Sequence, residues 1–125
     1  MIFLDTNYLL RFLTRDIEEQ FLKAKKVIID KNSDKYISSV VLAETIYILE
    51  NHYNLSKAEV INTLIDLLAV KHIKSANFLK IALEIYEIES ISFYDAMIAA
   101  EAIESKYQLK TFDIKLRKVY EKYSL

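Results

Sequence analysis

The 125-residue chain has no cysteine, no glycine and no proline. Without cysteine it has no disulfide, no thiolate metal site and no cysteine nucleophile. A reducing cytosol fits that composition, so a cytoplasmic location is expected. Without glycine it has no glycine-rich phosphate loop, neither a Walker A loop nor a dinucleotide-binding fingerprint. Average chains carry about 7% glycine. Turns here therefore fall to Asn, Asp and Ser, as at Asn32-Ser33-Asp34 and at Asn54. Those residues tolerate positive φ better than others, though less well than glycine. No basic stretch precedes Ile2-Phe3-Leu4-Asp5, so no signal peptide is expected. No apolar run reaches the roughly 18 residues that span a bilayer, so no membrane association is expected. Charge of one sign is lacking too, since the formal net charge is -1. A strongly basic face is the common footprint of nucleic-acid binding. An acidic site can nevertheless cancel a basic rim in the total.

What is present suits one domain over residues 1–125. Hydrophobic residues make up 53%, enough for a sizeable core, and 28% charged residues keep the surface polar. Met1 to Leu4 is a short apolar run ending at Asp5, and its length predicts a fully buried strand. A short helix is expected over Asn7 to Thr14. Asp16 with Glu19 spells a capping box that opens a helix through about Asp30. A brief strand follows at Tyr36-Ile37-Ser38. Ser38 or Ser39 then caps a helix to about Tyr53, and Ser56 with Glu59 is a second capping box. Val60, Leu64, Leu67 and Leu68 form that helix's apolar stripe. His72 to Lys74 reads as a brief strand or loop, and Ala76 to Glu87 as an amphipathic helix. A helix is expected from Ser92 to about Ser105, a last strand over Gln108 to Phe112, and a final helix over Ile114 to Tyr123. Strands alternating with helices predict an α/β fold, a parallel sheet with helices on both faces. Such sheets bind ligands beyond the carboxyl ends of their strands.

Four acids stand out against this pattern. Asp5 ends the first expected strand and Asp113 follows the last, so a parallel sheet brings both to one rim. Glu44 lies in the apolar stretch Val40-Val41-Leu42-Ala43-Glu44-Thr45-Ile46. A glutamate buried there is costly unless paired or metal-bound. The competing reading puts it on a narrow exposed stripe with Tyr47 or Ile48. Asp95 sits in Ser92-Phe93-Tyr94-Asp95-Ala96-Met97-Ile98-Ala99-Ala100. Serine with an acid three residues on is a capping box, which alone accounts for Asp95. The alanines after it, at 96, 99, 100 and 102, let a helix pack closely on a sheet. His52 and His72 are far in sequence from the acids and read as ordinary residues rather than ligands.

Phe3-Leu4-Asp5-Thr6-Asn7, Val41-Leu42-Ala43-Glu44, Phe93-Tyr94-Asp95-Ala96-Met97-Ile98-Ala99-Ala100 and Lys110-Thr111-Phe112-Asp113 resemble the four signature blocks of PIN-domain nucleases. Their order, spacing and the overall length resemble the small VapC-type toxins of toxin–antitoxin pairs. The resemblance covers essentially the whole chain. It implies a three-layer sandwich with a parallel sheet of four or five strands. It also implies a metal site formed by Asp5, Glu44, Asp95 and Asp113, with Asp5 and Asp95 as the central ligands. Hard oxygen ligands suit Mg²⁺ or Mn²⁺, one ion or two. The implied activity is hydrolysis of RNA that leaves a 5′-phosphate, without a protein nucleophile. Implied partners are a small antitoxin, which inserts an arginine among the carboxylates, and a second copy in a homodimer. The family usually continues into a final edge strand. Only Ser124-Leu125 follow Tyr123 here, so that strand is expected to be absent or shortened.

Around the acids, Thr6, Asn7 and Thr111 are placed to orient carboxylates or waters, or else to cap helices and fill turns. Arg11 and Arg15 follow the first acid, and Lys115, Arg117 and Lys118 follow the fourth. They are candidates for holding RNA phosphates, against the plainer reading of a solvated helix face. An aspartyl-nucleophile phosphatase needs a second Asp where Asn7 stands. A receiver domain leaves Glu44 unexplained. Two alternatives within the fold stay open: an RNA-processing nuclease outside a toxin pair, and a module that binds RNA or protein without cutting.

Overall fold

A computed structural model describes residues 1–125. The chain divides into two compact units, Met1–Ser75 and Ala76–Leu125.

The first unit runs strand β1 (Ile2–Phe3), helices α1 (Thr6–Thr14) and α2 (Glu18–Ile28), strand β2 (Lys35–Tyr36), helices α3 (Ser39–Asn51) and α4 (Lys57–Leu68), and strand β3 (Ile73–Lys74). The strands form a parallel sheet in the order β1-β2-β3, with Ile2 opposite Lys35 and Lys35 opposite Ile73. Ladder bonds extend past the strand ends: the Leu4 amide donates to the Tyr36 carbonyl at 3.0 Å and the Ile37 amide to Lys74 at 2.9 Å. The helices bury the stripes that their spacing predicts. Leu9 and Leu10 of α1, Leu42, Ile46 and Leu49 of α3, and Val60, Leu64, Leu67 and Leu68 of α4 are all buried. Phe12 of α1 and Phe21 of α2 stack with centroids 6.2 Å apart. Helix α3 starts at Ser38, whose hydroxyl accepts from the Val41 amide, and α4 starts with the full Ser56–Glu59 capping box.

Three expectations need correction here. Strand β1 forms but is not fully buried: Ile2 is 39% and Phe3 64% exposed, because β1 is an edge of the sheet, and only Leu4 goes inside. The Asp16–Glu19 capping box does not form. Helix α2 begins at Glu18 after Ile17, with no side-chain cap, because the Asp16 carboxylate is engaged by Thr14 and Tyr53. Finally, the sheet has three strands rather than four or five.

Turns without glycine are solved in two ways. At 30–34 the backbone needs no positive φ. The Asp30 carboxylate accepts from the Asn32 amide at 2.9 Å and the Ser33 hydroxyl at 3.4 Å. Lys35, 0% exposed, donates its ammonium to the carbonyls of Asp30 and of Ser33, the latter at 2.7 Å. Elsewhere the left-handed region is entered outright. Asn54 does so at φ 54°, as its residue type allows, but so do Arg15 at 54° and Lys106 at 58°.

The second unit holds α5 (Phe78–Ile88), α6 (Phe93–Glu104) and α7 (Ile114–Tyr123). Ala96, Ala99 and Ala100 are wholly buried. Within this unit they let α6 lie close against α5. Tyr86 and Phe93 meet edge to face at 5.5 Å. Helix α7 buries Leu116 and Val119, and Lys122 and Tyr123 both donate to Glu89 Oε2, at 2.9 and 2.8 Å. Those bonds hold the Glu89 carboxyl below its ordinary range, with Lys122 the larger cause.

The strand expected over Gln108 to Phe112 does not form. None of its amides donates to a backbone carbonyl, and a strand exists only through its ladder.

Lys106 occupies the position after a helix where glycine is usual. The Tyr107 amide bonds the Ala102 carbonyl and the Lys106 amide bonds Ile103, the two bonds of a Schellman turn. A side chain there costs about 1 kcal/mol in the left-handed region. Lys106→Gly is expected to raise the melting temperature by a few degrees, read by calorimetry. An unchanged or lowered value contradicts this.

Candidate metal and nucleic-acid site

In the first unit, Asp5 occupies the N-cap position of α1, directly after Leu4. Its side chain makes no cap bond there, and it is exposed. The carboxylate is therefore free of protein donors at a helix N-terminus, where the backbone dipoles favour negative charge. The next residue, Thr6, is 6% exposed, and its hydroxyl donates to Glu44 Oε1 at 2.6 Å. Glu44 thus stands one residue's reach from Asp5. The cost of apolar burial is not what marks it, because Glu44 is exposed. It lies on a stripe with Val40 and Tyr47 while Val41, Leu42, Thr45 and Ile46 point inward. Its orientation comes from Thr6.

Beside Asp5 a cleft of about 320 Å³ opens between α1 and α2, lined by Asn7, Tyr8, Arg11, Gln20 and Lys23. Arg11 donates from Nε to Gln20 Oε1 at 2.7 Å and lies 3.5 Å from Asp16. Asp16 also accepts from the Tyr53 hydroxyl at 2.6 Å and the Thr14 hydroxyl at 2.9 Å. The Tyr53 bond is the main reason the Asp16 carboxyl sits below its ordinary range, followed by the Thr14 bond. A depressed folded value means the stabilisation is full above the ordinary carboxylate range. It is lost as pH falls through the depressed value. Tyr53→Phe is expected to move the Asp16 titration midpoint upward by NMR; an unmoved midpoint contradicts the assignment.

Arg15, expected to work with Arg11, is engaged elsewhere. It makes two 2.9 Å bonds to Glu18 and lies 4.5 Å over the Phe21 ring. Lys23 and Gln20 were not among the expected site residues. The available signal was their one-turn spacing on the side of α2 that carries buried Ala24. Lys23 holds only an exposed contact to Glu19 at 3.4 Å, which binds it weakly.

In the second unit the roles of the two acids differ from expectation. The Ser92 hydroxyl accepts from the Asp95 amide at 3.1 Å, but the Ser92 amide does not donate back to the Asp95 carboxylate, unlike at Ser56–Glu59. Half a capping box is present, and the carboxylate is not part of it. Asp113 is the true cap: its Oδ1 accepts from the Leu116 amide at 2.9 Å. It does not follow a strand, since none forms before it. Thr111 fixes its backbone instead, the hydroxyl accepting from the Asp113 amide at 3.1 Å. Phe112 between them is fully exposed. Lys115 and Lys118 are exposed on α7, and Arg117 lies 4.0 Å from Glu121.

Within neither unit do three acids or histidines gather into a metal cluster. The donors available are nonetheless all oxygen. The carboxylates of Asp5 and Asp95 accept no protein hydrogen bond, Glu44 is aimed by Thr6, and Asp113 has one oxygen uncommitted. That donor chemistry fits a hard divalent cation. His52 is exposed and His72 partly buried.

No helix is long and apolar enough to cross a membrane. A comparison with curated proteins found no match to this chain. The family model of the PIN domain matches residues 2–122, a span that holds all four acids and runs through both units. The chain belongs to the PIN-domain family, whose members are generally nucleases.

Proposed function

We propose that the chain is one PIN domain that hydrolyses RNA phosphodiester bonds, with Mg²⁺ or Mn²⁺ held by Asp5, Glu44, Asp95 and Asp113. The observation that carries the reading is the 2.6 Å bond from buried Thr6 to Glu44, beside an Asp5 carboxylate left free of protein donors. A buried hydroxyl spent on aiming an exposed carboxylate is the support that a ligand needs. When bound, such a cation makes a water more acidic and offsets charge gathering on phosphorus. The chain's own residues do the rest. Thr6 keeps one Glu44 oxygen engaged and so fixes the direction of the other. Thr111 fixes the backbone of Asp113. Asn7 and the cations Arg11, Lys115 and Lys118 hold or orient the substrate strand. Water supplies the oxygen of the new P–O bond, the 3′ oxygen departs, and no side chain becomes covalently attached.

The finer reading is the toxin of a type II toxin–antitoxin pair, acting as a homodimer and silenced by a small antitoxin whose arginine pairs with the carboxylates. The order and spacing of the four blocks in a chain of 125 residues support it. A short reading frame beside the gene, with a DNA-binding start, is expected; none there contradicts the toxin role.

Hydrolysis is tested by incubating the protein with structured RNA in Mg²⁺, in Mn²⁺ and in chelator. Cleavage in either metal and none in chelator is expected. RNA binding without cleavage in any divalent cation overturns the proposal.

A further inference from the structure

We propose that the cleft between α1 and α2 is a nucleotide subsite, in which Arg11 holds a phosphate of the RNA strand and the Tyr8 ring meets its base. This deepens the hydrolytic reading and rests on it for the identity of the substrate. The Arg11 side chain is only 23% exposed. Gln20 and Asp16 restrain it from two sides. Asp16 is restrained in turn by Tyr53, which comes from beyond α3, 37 residues along the chain. A guanidinium held this way loses little freedom when it meets an anion, and its planar fork suits phosphate oxygens. Lys23 brings a second cation to the same cleft.

The remaining lining matches a nucleotide better than a bare anion. Tyr8 lines the cleft and is 37% exposed, and an aromatic ring there suits stacking with a base. Asn7 offers an amide, and Gln20 keeps its NH₂ while its oxygen serves Arg11. A volume of about 320 Å³ is at the small end of ligand clefts and takes one nucleotide. Asp5 on the rim sets the subsite next to the carboxylate proposed to hold metal, so the bound nucleotide is a neighbour of the bond to be cut. Tyr53 and Asp16 are positioning residues, acting through Arg11.

The test uses the full chain, isotope-labelled, in chelator so that no cleavage occurs. Four nucleoside 5′-monophosphates are titrated, then inorganic phosphate and an acidic peptide. Saturable amide shifts confined to residues 7–11 and 20–24 are expected with a nucleotide, at a Kd of about 1 mM. Arg11→Gln is expected to weaken binding by about tenfold. Tyr53→Phe is expected to weaken it by a few-fold while the Asp16 midpoint rises, a joint readout that a merely structural role for Tyr53 does not produce. Arg11→Lys keeps the charge and is expected to restore only part of the loss, because the fork is missing. No shifts in the cleft, shifts indifferent to Arg11→Gln, or equal affinity for phosphate or the peptide overturns the proposal. Metal-dependent cleavage without nucleotide binding in the cleft sinks the subsite alone. Nucleotide binding without cleavage in any metal sinks the hydrolytic reading and leaves the subsite standing.

Discussion

Replacing Asp5 with asparagine is expected to lower metal-dependent RNA cleavage by about a hundredfold or more while lowering the melting temperature by no more than a few degrees, the worth of one exposed charge at a helix N-terminus. The amide has nearly the carboxylate's shape but no charge for a cation. No fold contact is lost, because the Asp5 side chain caps nothing. Asp95→Asn is expected to behave alike, since the cap bond at that helix runs from the Asp95 backbone amide to the Ser92 hydroxyl and leaves the carboxylate out. Asp113 makes the informative contrast. Its carboxylate caps α7, so Asp113→Ala is expected to cost stability as well, about 1 kcal/mol. Cleavage rates and calorimetry on the three variants separate the roles. A stable Asp5→Asn protein that cuts RNA at the parent rate contradicts the assignment.

The second large effect is on stability. Lys35→Ala is expected to cost about 2–4 kcal/mol, roughly 10 °C or more in melting temperature. Lys35 is 0% exposed, so its aliphatic stem packs in the sheet. Its ammonium holds two carbonyls of the 30–34 turn. Removal leaves a cavity and acceptors without a donor. Lys35→Met keeps the stem and loses only the charge-assisted bonds, so it is expected to cost less than half as much. Equal losses in the two variants, by denaturant titration, contradict the division. A loss under about 1 kcal/mol in Lys35→Ala contradicts the account of the turn itself.

Much of the helical frame was legible in the sequence because its signals are local. Ser38, Ser56 and Ser92 each accept the amide bond their position predicts. The apolar stripe from Val60 to Leu68 is buried as its spacing requires. What the sequence could not give depends on distant partners. A run such as Gln108 to Phe112 looks like a strand by composition, but strand formation is a property of a ladder, and none forms there. Asp16 and Glu19 have the spacing of a cap, yet Tyr53, far along the chain, takes the carboxylate.

The site shows the same division. All four acids lie in a chain that belongs to the PIN family. The physical reasons attached to each acid moved. Glu44 is exposed and gains its place from Thr6 rather than from burial. Asp113 turned out to be the helix cap, and Asp95 carries the freer carboxylate, the reverse of what their neighbours in sequence indicate. Lys23 and Gln20 stayed hidden because their one-turn spacing beside Ala24 is a faint signal on a helix of mixed charges.

The proposed function requires that Asp5, Glu44, Asp95 and Asp113 serve one divalent centre. Titrating the labelled protein with Mn²⁺ tests this without any substrate, through paramagnetic broadening of nearby amides. Signals at Asp5–Asn7, Glu44, Asp95 and Asp113 are expected to broaden together with one apparent affinity, and Asp5→Asn or Asp95→Asn to weaken broadening at all four places. Broadening around Asp5 and Glu44 alone, or around Asp95 and Asp113 alone, contradicts it.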